Sequence, residues 1–262
     1  MSPASLELIR TIEEASFGAW PALSYAFDDG WVLRFADGHT KRANSINPTY
    51  PSTSPNAGDV EAKIARAEAW FRARGLPPIF RLTPLADPCD LDQRLAGRGY
   101  AAAEVSRALY HPDLSDVAPL ALPDSVELHL DATPDQGWLD AYLALTPLDA
   151  AKTAALKRML PLIVPAVRFG WLAEAGRPIA AAFVTVQGGL IGTYDVVTAP
   201  EARRRGLMRA LLSRLYRWAV DEAGGVSGAL FVVAANEPAG ALYEGFGYRE
   251  LYRYHYRLAP NR

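Results

Sequence analysis

The sequence predicts an α/β protein of two units, each a mixed, mostly antiparallel sheet flanked by helices. Three observations carry this. Apolar patterns of strand length and of helix length alternate along nearly the whole chain. The turns Gly176-Arg177-Pro178 and Gln187-Gly188-Gly189 join successive strand-like runs as hairpins. Both halves also close on the same order of strand, short helix, Gly-Tyr pair and strand, with Gly99-Tyr100 in the first and Gly247-Tyr248 in the second. Such a recurrence favours an internal duplication, and 262 residues accommodate two domains of about 100–150 residues.

In chain order, residues 6–19 are helical, and residues 31–35 and 40–46 are strands around an Asp37-Gly38 turn. Residues 60–74 are helical, 79–82 a strand, 91–96 a short helix and 103–110 a strand. Residues 112–123 carry prolines at 112, 119 and 123, which remove backbone donors and favour extended chain. They divide a first domain, 1–111, from a second, 124–262, with 112–123 as linker. In the second, residues 126–130 alternate as a strand, and 135–145 and 150–160 are helical, with Thr133-Pro134 offering a cap and start. Strands follow at 168–173, 179–186 and 190–198. Residues 207–223 form an amphipathic helix with Leu211, Leu212, Leu215, Trp218 and Ala219 on its apolar stripe. A continuous apolar run at 229–234 suits a strand covered on both faces, before a short helix at 238–243 and a last strand at 248–258.

Composition excludes several classes. Half the residues are hydrophobic and the net charge is -2, so no global basic field exists to hold nucleic acid or an anionic membrane. The run 179–186, among the longest apolar ones, is less than half of a bilayer span. The first ten residues lack a basic stretch followed by an apolar block, so no secretory signal is expected. A single cysteine, Cys89, and four scattered histidines (His39, His111, His129, His255) suit neither a disulfide nor a metal site. A cytoplasmic protein without a metal is expected.

The chemistry is concentrated in Thr198-Ala-Pro-Glu-Ala-Arg-Arg-Arg-Gly-Leu-Met-Arg-Ala-Leu-Leu212, a strand that enters a basic turn and then an amphipathic helix. The first turn of such a helix has unpaired N–H groups and the positive end of the macrodipole. Gly206 allows close backbone approach, so a diphosphate fits there, with Arg203, Arg204 and Arg205 adding charge. A solvated basic run on an ordinary strand-to-helix connection is the plainer alternative. Downstream lies Asn236-Glu-Pro-Ala-Gly-Ala-Leu-Tyr-Glu-Gly-Phe-Gly-Tyr248. Asn236 stands at the carboxyl end of a buried strand, where open α/β sheets bind ligands; it serves equally as a helix cap. Tyr243, on the short helix, is by itself as compatible with core packing as with catalysis.

Together these residues resemble the GNAT superfamily of N-acetyltransferases. The family's pyrophosphate motif, Arg/Gln-x-x-Gly-x-Gly/Ala, falls on Arg203, Gly206 and Met208, the methionine departing from a small residue. The family's Asn-x-x-Ala-x-x-Leu-Tyr-x-x-x-Gly-Phe tract matches Asn236, Ala239, Leu242, Tyr243 and Gly247, with Tyr248 for the Phe. The resemblance implies acetyl-CoA as co-substrate. Residues 203–209 (Arg203, Arg204, Arg205, Gly206, Leu207, Met208, Arg209) and Asn236 would line its site, and backbone groups of Val196, Val197 and Thr198 would bind the pantetheine arm and acyl carbonyl. Tyr243 would protonate the departing thiolate. Backbone binding of the phosphates survives if the Met208 side chain points away from them.

Asp195 is the best placed carboxylate to take the amine proton and Glu201 the second; a strand Asp can also be structural, and proton transfer can run through water. His255 reads as part of an aromatic ladder. Aligning the Gly-Tyr pairs sets Leu95 opposite Tyr243 and Pro88 opposite Asn236, and residues 47–56 replace the arginine-glycine turn, so the first half resembles a degenerate copy. Its Trp20, Trp31, Arg34, Arg42, Asn44 and Ser45 form a polar-aromatic set, with Arg42 and Asn44 on one strand face. This set either seals the domain interface or closes over the acyl end and selects the acceptor.

The expected activity is acetyl transfer to the primary amine of a small molecule (amino acid, amine or antibiotic) by direct attack in a ternary complex. No covalent enzyme is expected, since Cys89 lies in the half without the cofactor turn. A non-catalytic acyl-CoA sensor or interaction module is the alternative. Aminoacyl transfer from tRNA would want a basic groove that the charge balance does not suggest. A homodimer stays open, since residues 252–256 could pair across a dimer or lie inside the sheet.

Overall fold

The computed structural model describes residues 3–53 and 59–260, so part of the 47–56 stretch (residues 54–56) lies outside the described residues. In the first half, α1 (Pro3–Ala19) precedes β1 (Ser24–Asp28) and β2 (Trp31–Phe35), then β3 (Ile46–Pro48), α2 (Val60–Arg72), β4 (Ile79–Leu82), α3 (Leu91–Gly97) and β5 (Ala101–His111). In the second, β6 (Val126–Asp131), α4 (Gln136–Leu145) and α5 (Ala150–Met159) lead into the meander β7 (Ala166–Glu174), β8 (Arg177–Gln187) and β9 (Leu190–Thr198). There follow α6 (Leu207–Asp221), β10 (Ser227–Val233), α7 (Glu237–Glu244) and β11 (Arg249–Leu258).

The eleven strands of the described residues belong to one open sheet, in the order β1-β2-β3-β4-β11-β5-β10-β9-β8-β7-β6. Two pairs are parallel, β3 with β4 and β9 with β10; every other neighbour is antiparallel. Each parallel pair is joined by one long helix, α2 or α6, as a parallel crossover requires. The last strands of the two halves are exchanged. β5 lies against β10 of the second half, and β11 lies against β4 of the first. Residues 252–256 are therefore inside the sheet, paired with β5 along their length and with β4 from His255 onward.

The halves share local geometry where the sequence repeats. Gly99 and Gly247 both have positive φ (85° and 100°). The next N–H, of Tyr100 or Tyr248, bonds to the carbonyl five residues back, Leu95 or Tyr243. Both tyrosines are buried, so the pair turns the chain and plugs the core at the start of the final strand.

Packing puts the cores on both faces of the sheet. On one, Leu207, Met208, Leu211, Leu212 and Leu215 of α6 pack on Leu172, Ala180, Ala182 and Val184; each fully buried Leu stabilises by roughly 1.5–3 kcal/mol. On the other, Trp138 and Tyr142 of α4 pack on Phe169, Phe183 and Tyr194, together with Trp20, Ala36 and Ala43 from the first half. Helix α1 bridges the halves, with Ile9 among Ile79 and Tyr252 and with Ile12 among Leu190 and Ala229. Along residues 112–123, Leu114 is buried in the α6 core and the Leu120 N–H bonds to Ser213 Oγ at 3.0 Å.

Three local readings are corrected. The first hairpin is β1–β2 around Asp29-Gly30, at φ 44° and 88°, the turn type that matches strand twist. Residues 40–45 form a wound loop and not a strand: Asp37, Gly38 and Thr40 all have positive φ, and the Asn44 side chain ties the loop to itself. Arg42 and Asn44 thus share no strand face. Finally, α4 is capped by Asp135, whose carboxylate accepts from the Trp138 N–H at 2.8 Å, and not by Thr133.

Candidate active site

Strands β9 and β10 pair in parallel only from Leu190–Ser227 to Thr193–Leu230. Beyond that point β9 stays with β8 while β10 stays with β5, so the two diverge. One backbone edge of residues 194–198 is left without a strand partner, as the unmet N–H and C=O groups of a ligand cleft would be. A bulge sits at the same place. Ala181 faces Val197 and Phe183 faces Tyr194, so Asp195 and Val196 together oppose Ala182. The extra residue changes the alternation: Tyr194 and Val197 both join the α4 cluster, while Val196 joins the α6 cluster.

The strand leads into the arginine turn. Arg204 and Gly206 both take positive φ, 59° and 76°, and Gly206 is the N-cap of α6 with no side-chain cap bond. A Cβ at Gly206 would meet nothing within 4 Å. The glycine therefore serves its backbone angle and leaves open space in front of the orphan first-turn N–H groups. Met208 points into the α6 core, so the departure from the small residue does not crowd the turn. Leu207 is buried beside it. The arginines divide. Arg203 Nε donates to the Thr198 carbonyl at 3.3 Å, Arg205 is paired with Glu174, and Arg209 donates to the Gly245 carbonyl at 2.9 Å. Arg204 is exposed and has no polar partner among the described residues. The equivalent helix of the first half is the electrostatic opposite. Helix α2 starts at Asp59, whose carboxylate accepts from the Ala62 N–H at 2.8 Å, with Glu61 in the same turn, and so repels an anion.

Helix α7 supplies the next pair. Asn236 is exposed and caps the helix through the Ala239 N–H at 3.2 Å. Tyr243 is buried, and its hydroxyl has no hydrogen-bond partner among the described residues. Burial, reinforced by Tyr216, pushes the phenol above its ordinary range, which keeps it protonated as a donor.

Asp195 sits in the bulge at φ 49°, and its Oδ2 is enclosed with no hydrogen-bond partner. Burial pushes the carboxyl up to about 7, against the opposing charge of Arg42 and the Tyr142 hydroxyl. Glu201 is exposed in the 3-10 turn after β9. Of the first-half residues, Trp20 stacks on Phe183 at 6.1 Å, and Arg42 stands 5.0 Å over the Phe231 ring of β10 while acting electrostatically on Asp195. Trp31 is not brought here: it is buried in the first half's own core and donates to the Asp87 carbonyl at 2.9 Å. Asn44 is spent on the 36–45 loop, and Arg34 on the carbonyls of Trp20 and Arg42. Two participants escaped the sequence reading. Glu174 holds Arg205 from strand β7, and Tyr142 faces Asp195 from a helix whose apolar stripe reads only as core.

A sheet opened between parallel strands, a bulge at the opening and a glycine turn on a helix N-terminus define a GNAT acetyltransferase. The chain belongs, more narrowly, to the family described as "Probable histone acetyltransferase Rv0428c C-terminal", whose model matches residues 7–257. It is 26% identical over 250 residues to the "Uncharacterized N-acetyltransferase YobR" of Bacillus subtilis, covering 95% of this chain and 98% of that one. It is 32% identical over 154 residues to the "Probable histone acetyltransferase Rv0428c" of Mycobacterium tuberculosis, covering 57% of this chain but only 43% of that protein. The fold matches a GCN5-related N-acetyltransferase from Kribbella flavida, with a TM-score of 0.71 and 18% identity over 97% of this chain and 96% of that one. It also matches a tandem GNAT protein from the clavulanic acid biosynthesis pathway, with a TM-score of 0.69 and 14% identity over 98% and 94%. Among the described residues, no group of three or more His, Cys, Asp or Glu could hold a metal ion, and no helix is long and apolar enough to cross a membrane.

Proposed function

We propose that the chain transfers an acetyl group from acetyl-CoA to the primary amine of a small molecule, by direct attack within a ternary complex. The observation that carries this reading is the divergence of β9 from β10, which ends at the uncapped Gly206 turn. When bound, acetyl-CoA supplies the activated acyl group. The first-turn N–H groups of α6 and the Arg204 side chain hold the diphosphate. The β9 edge that has no strand partner, at Val196, Val197 and Thr198, receives the amide-rich arm. Tyr243 donates a proton to the thiolate leaving group, and Asp195 accepts one from the incoming amine. The free Tyr243 hydroxyl and the unmet Asp195 oxygen favour catalysis over a purely sensory role.

Calorimetric titration of the purified chain with acetyl-CoA, and separately with free CoA, tests the reading. Saturable binding of both, followed by amine-dependent thiol release, is expected. Binding of neither would overturn it.

A further inference from the structure

We propose that Arg42 anchors an anionic group of the acceptor, so that the acceptor is an amine that also carries a carboxylate. The inference rests on the acetyltransferase reading for the reaction, but the anion site is argued from Arg42 alone.

Three arginines gather where the first half meets the diverging strands. Two are satisfied. Arg81 grips Glu13 in a fully buried ion pair, with its Nη2–Oε1 contact at 3.0 Å. Arg34 donates to the Arg42 carbonyl at 2.9 Å and to the Trp20 carbonyl. Arg42 is different. Its Nε is enclosed like theirs, but its terminal nitrogens also lack any hydrogen bond or ion pair with a described residue, and the Phe231 ring lies 5.0 Å from the guanidinium. A cation over a phenyl face offers no acceptor for the guanidinium N–H groups, so the contact with Phe231 leaves the fork free to bind an anion.

The backbone that presents Arg42 is held from several sides. Asn44 accepts from the Ala36 and Gly38 N–H groups at 2.8 and 3.0 Å and donates to the His39 and Thr40 carbonyls, both at 2.8 Å. Trp20 Nε1 donates to Thr40 Oγ1 at 2.9 Å, and Ser45 Oγ donates to the Arg42 carbonyl at 3.2 Å. So the loop is fixed while the fork at its tip is left unmatched. Phe231 is the first β10 residue past the last β9–β10 pair, and Asp195 lies in the bulge just past the same point on β9. Arg42 therefore stands at the mouth of the cleft, within electrostatic reach of the residue assigned to the amine proton. A guanidinium fork suits a carboxylate in two parallel bonds. The occupant must bring that carboxylate and an amine at once, as amino acids and amino-acid-like metabolites do; a simple polyamine or a lysine-rich tail would meet repulsion here.

The experiment pairs acids with amides in wild type, Arg42→Gln and Arg42→Lys. Thiol release from acetyl-CoA is followed with a panel of α- and ω-amino acids, each beside its primary amide. Equilibrium titration with the N-acetyl amino acids and their amides gives a second readout that needs no turnover. Acids are expected to be used, and their N-acetyl forms bound, roughly ten- to a hundredfold better than the amides, as one charge-assisted pair would give. Arg42→Gln should abolish that preference, Arg42→Lys should keep part of it, and acetyl-CoA binding should move less than about twofold. Equal use and binding of acids and amides by wild type, equal losses on both in Arg42→Gln, or no carboxylate binding at all would each overturn the proposal. Carboxylate binding that depends on Arg42 in a chain that fails to bind acetyl-CoA would overturn the acetyltransferase reading and leave this one standing.

Discussion

The Arg205 guanidinium holds both carboxylate oxygens of Glu174, at 2.7 and 2.8 Å. This pairing, with Ser125 in support, holds the Glu174 carboxyl down to about 2. One charge of the phosphate turn is therefore already answered by the protein. Glu174→Gln should release it and tighten CoA binding roughly two- to fivefold, the scale of an exposed ion pair. The gain should fade at high salt, where exposed charges are screened. Calorimetry at two ionic strengths checks this, and unchanged affinity would mean that Arg205 does not face the diphosphate.

Asp195 gives a pH signature. Its folded carboxyl titrates at about 7, above the unfolded value of about 3.9. Between those values the folded state holds the extra proton, so the group stabilises at low pH and that contribution is lost as pH rises through about 7. Asp195→Asn should gain stability over wild type at pH 8 by roughly 1–4 kcal/mol, with no difference near pH 4. As a base, Asp195 works only when deprotonated, so wild-type kcat/KM should fall below about pH 7 and Asp195→Asn should lose that limb. Chemical denaturation and rate profiles across pH 4–9 read both.

Gly206 combines a left-handed backbone with open space. Gly206→Val should cost about 1–2 kcal/mol for the backbone angle and weaken acetyl-CoA binding at least about tenfold by filling the approach to the α6 N–H groups. Thermal melting and calorimetry separate the two effects; full retention of binding would remove the turn from the site.

For Tyr243, the hydroxyl is the atom at issue. Tyr243→Phe should lower kcat by roughly 10²-fold while the acetyl-CoA Kd stays within about twofold, because the ring still fills its place in the core. A Kd that shifts with kcat would assign Tyr243 to binding.

Glu13 and Arg81 are 1% exposed on each side chain, and Tyr252 adds its hydroxyl to Glu13. Arg81→Met leaves a buried carboxylate uncompensated and should cost about 3–5 kcal/mol in denaturant titration, with Glu13→Gln a milder loss. Equal stability of Arg81→Met and wild type would show that water reaches the pair.

How much was legible follows from range. The strands Trp31–Phe35, Ile79–Leu82 and Leu190–Thr198 and the start of α6 at Leu207 fall where the periodicity sets them. Residues 40–45 misled, because a short alternating run after an Asp-Gly pair looks like the return arm of a hairpin. The side-chain bonds of Asn44 and three positive φ angles wind it into a loop instead.

By itself the sequence determined what neighbours along the chain decide: amphipathic stripes, the glycine turn and its arginines, the Asn236 cap and the two Gly-Tyr plugs. Each depends on side chains within about two helical turns, and local sterics and hydrogen bonds suffice. Only the tertiary structure decided the exchange of β5 and β11, the bulge at Asp195 and the meeting of Arg42 with Phe231. Strand pairing uses backbone groups that are the same in every residue except proline, so the sequence of one strand does not name its partner. Burial then sets what Asp195 and Arg42 can do, through the loss of water around charges brought together from opposite ends of the chain.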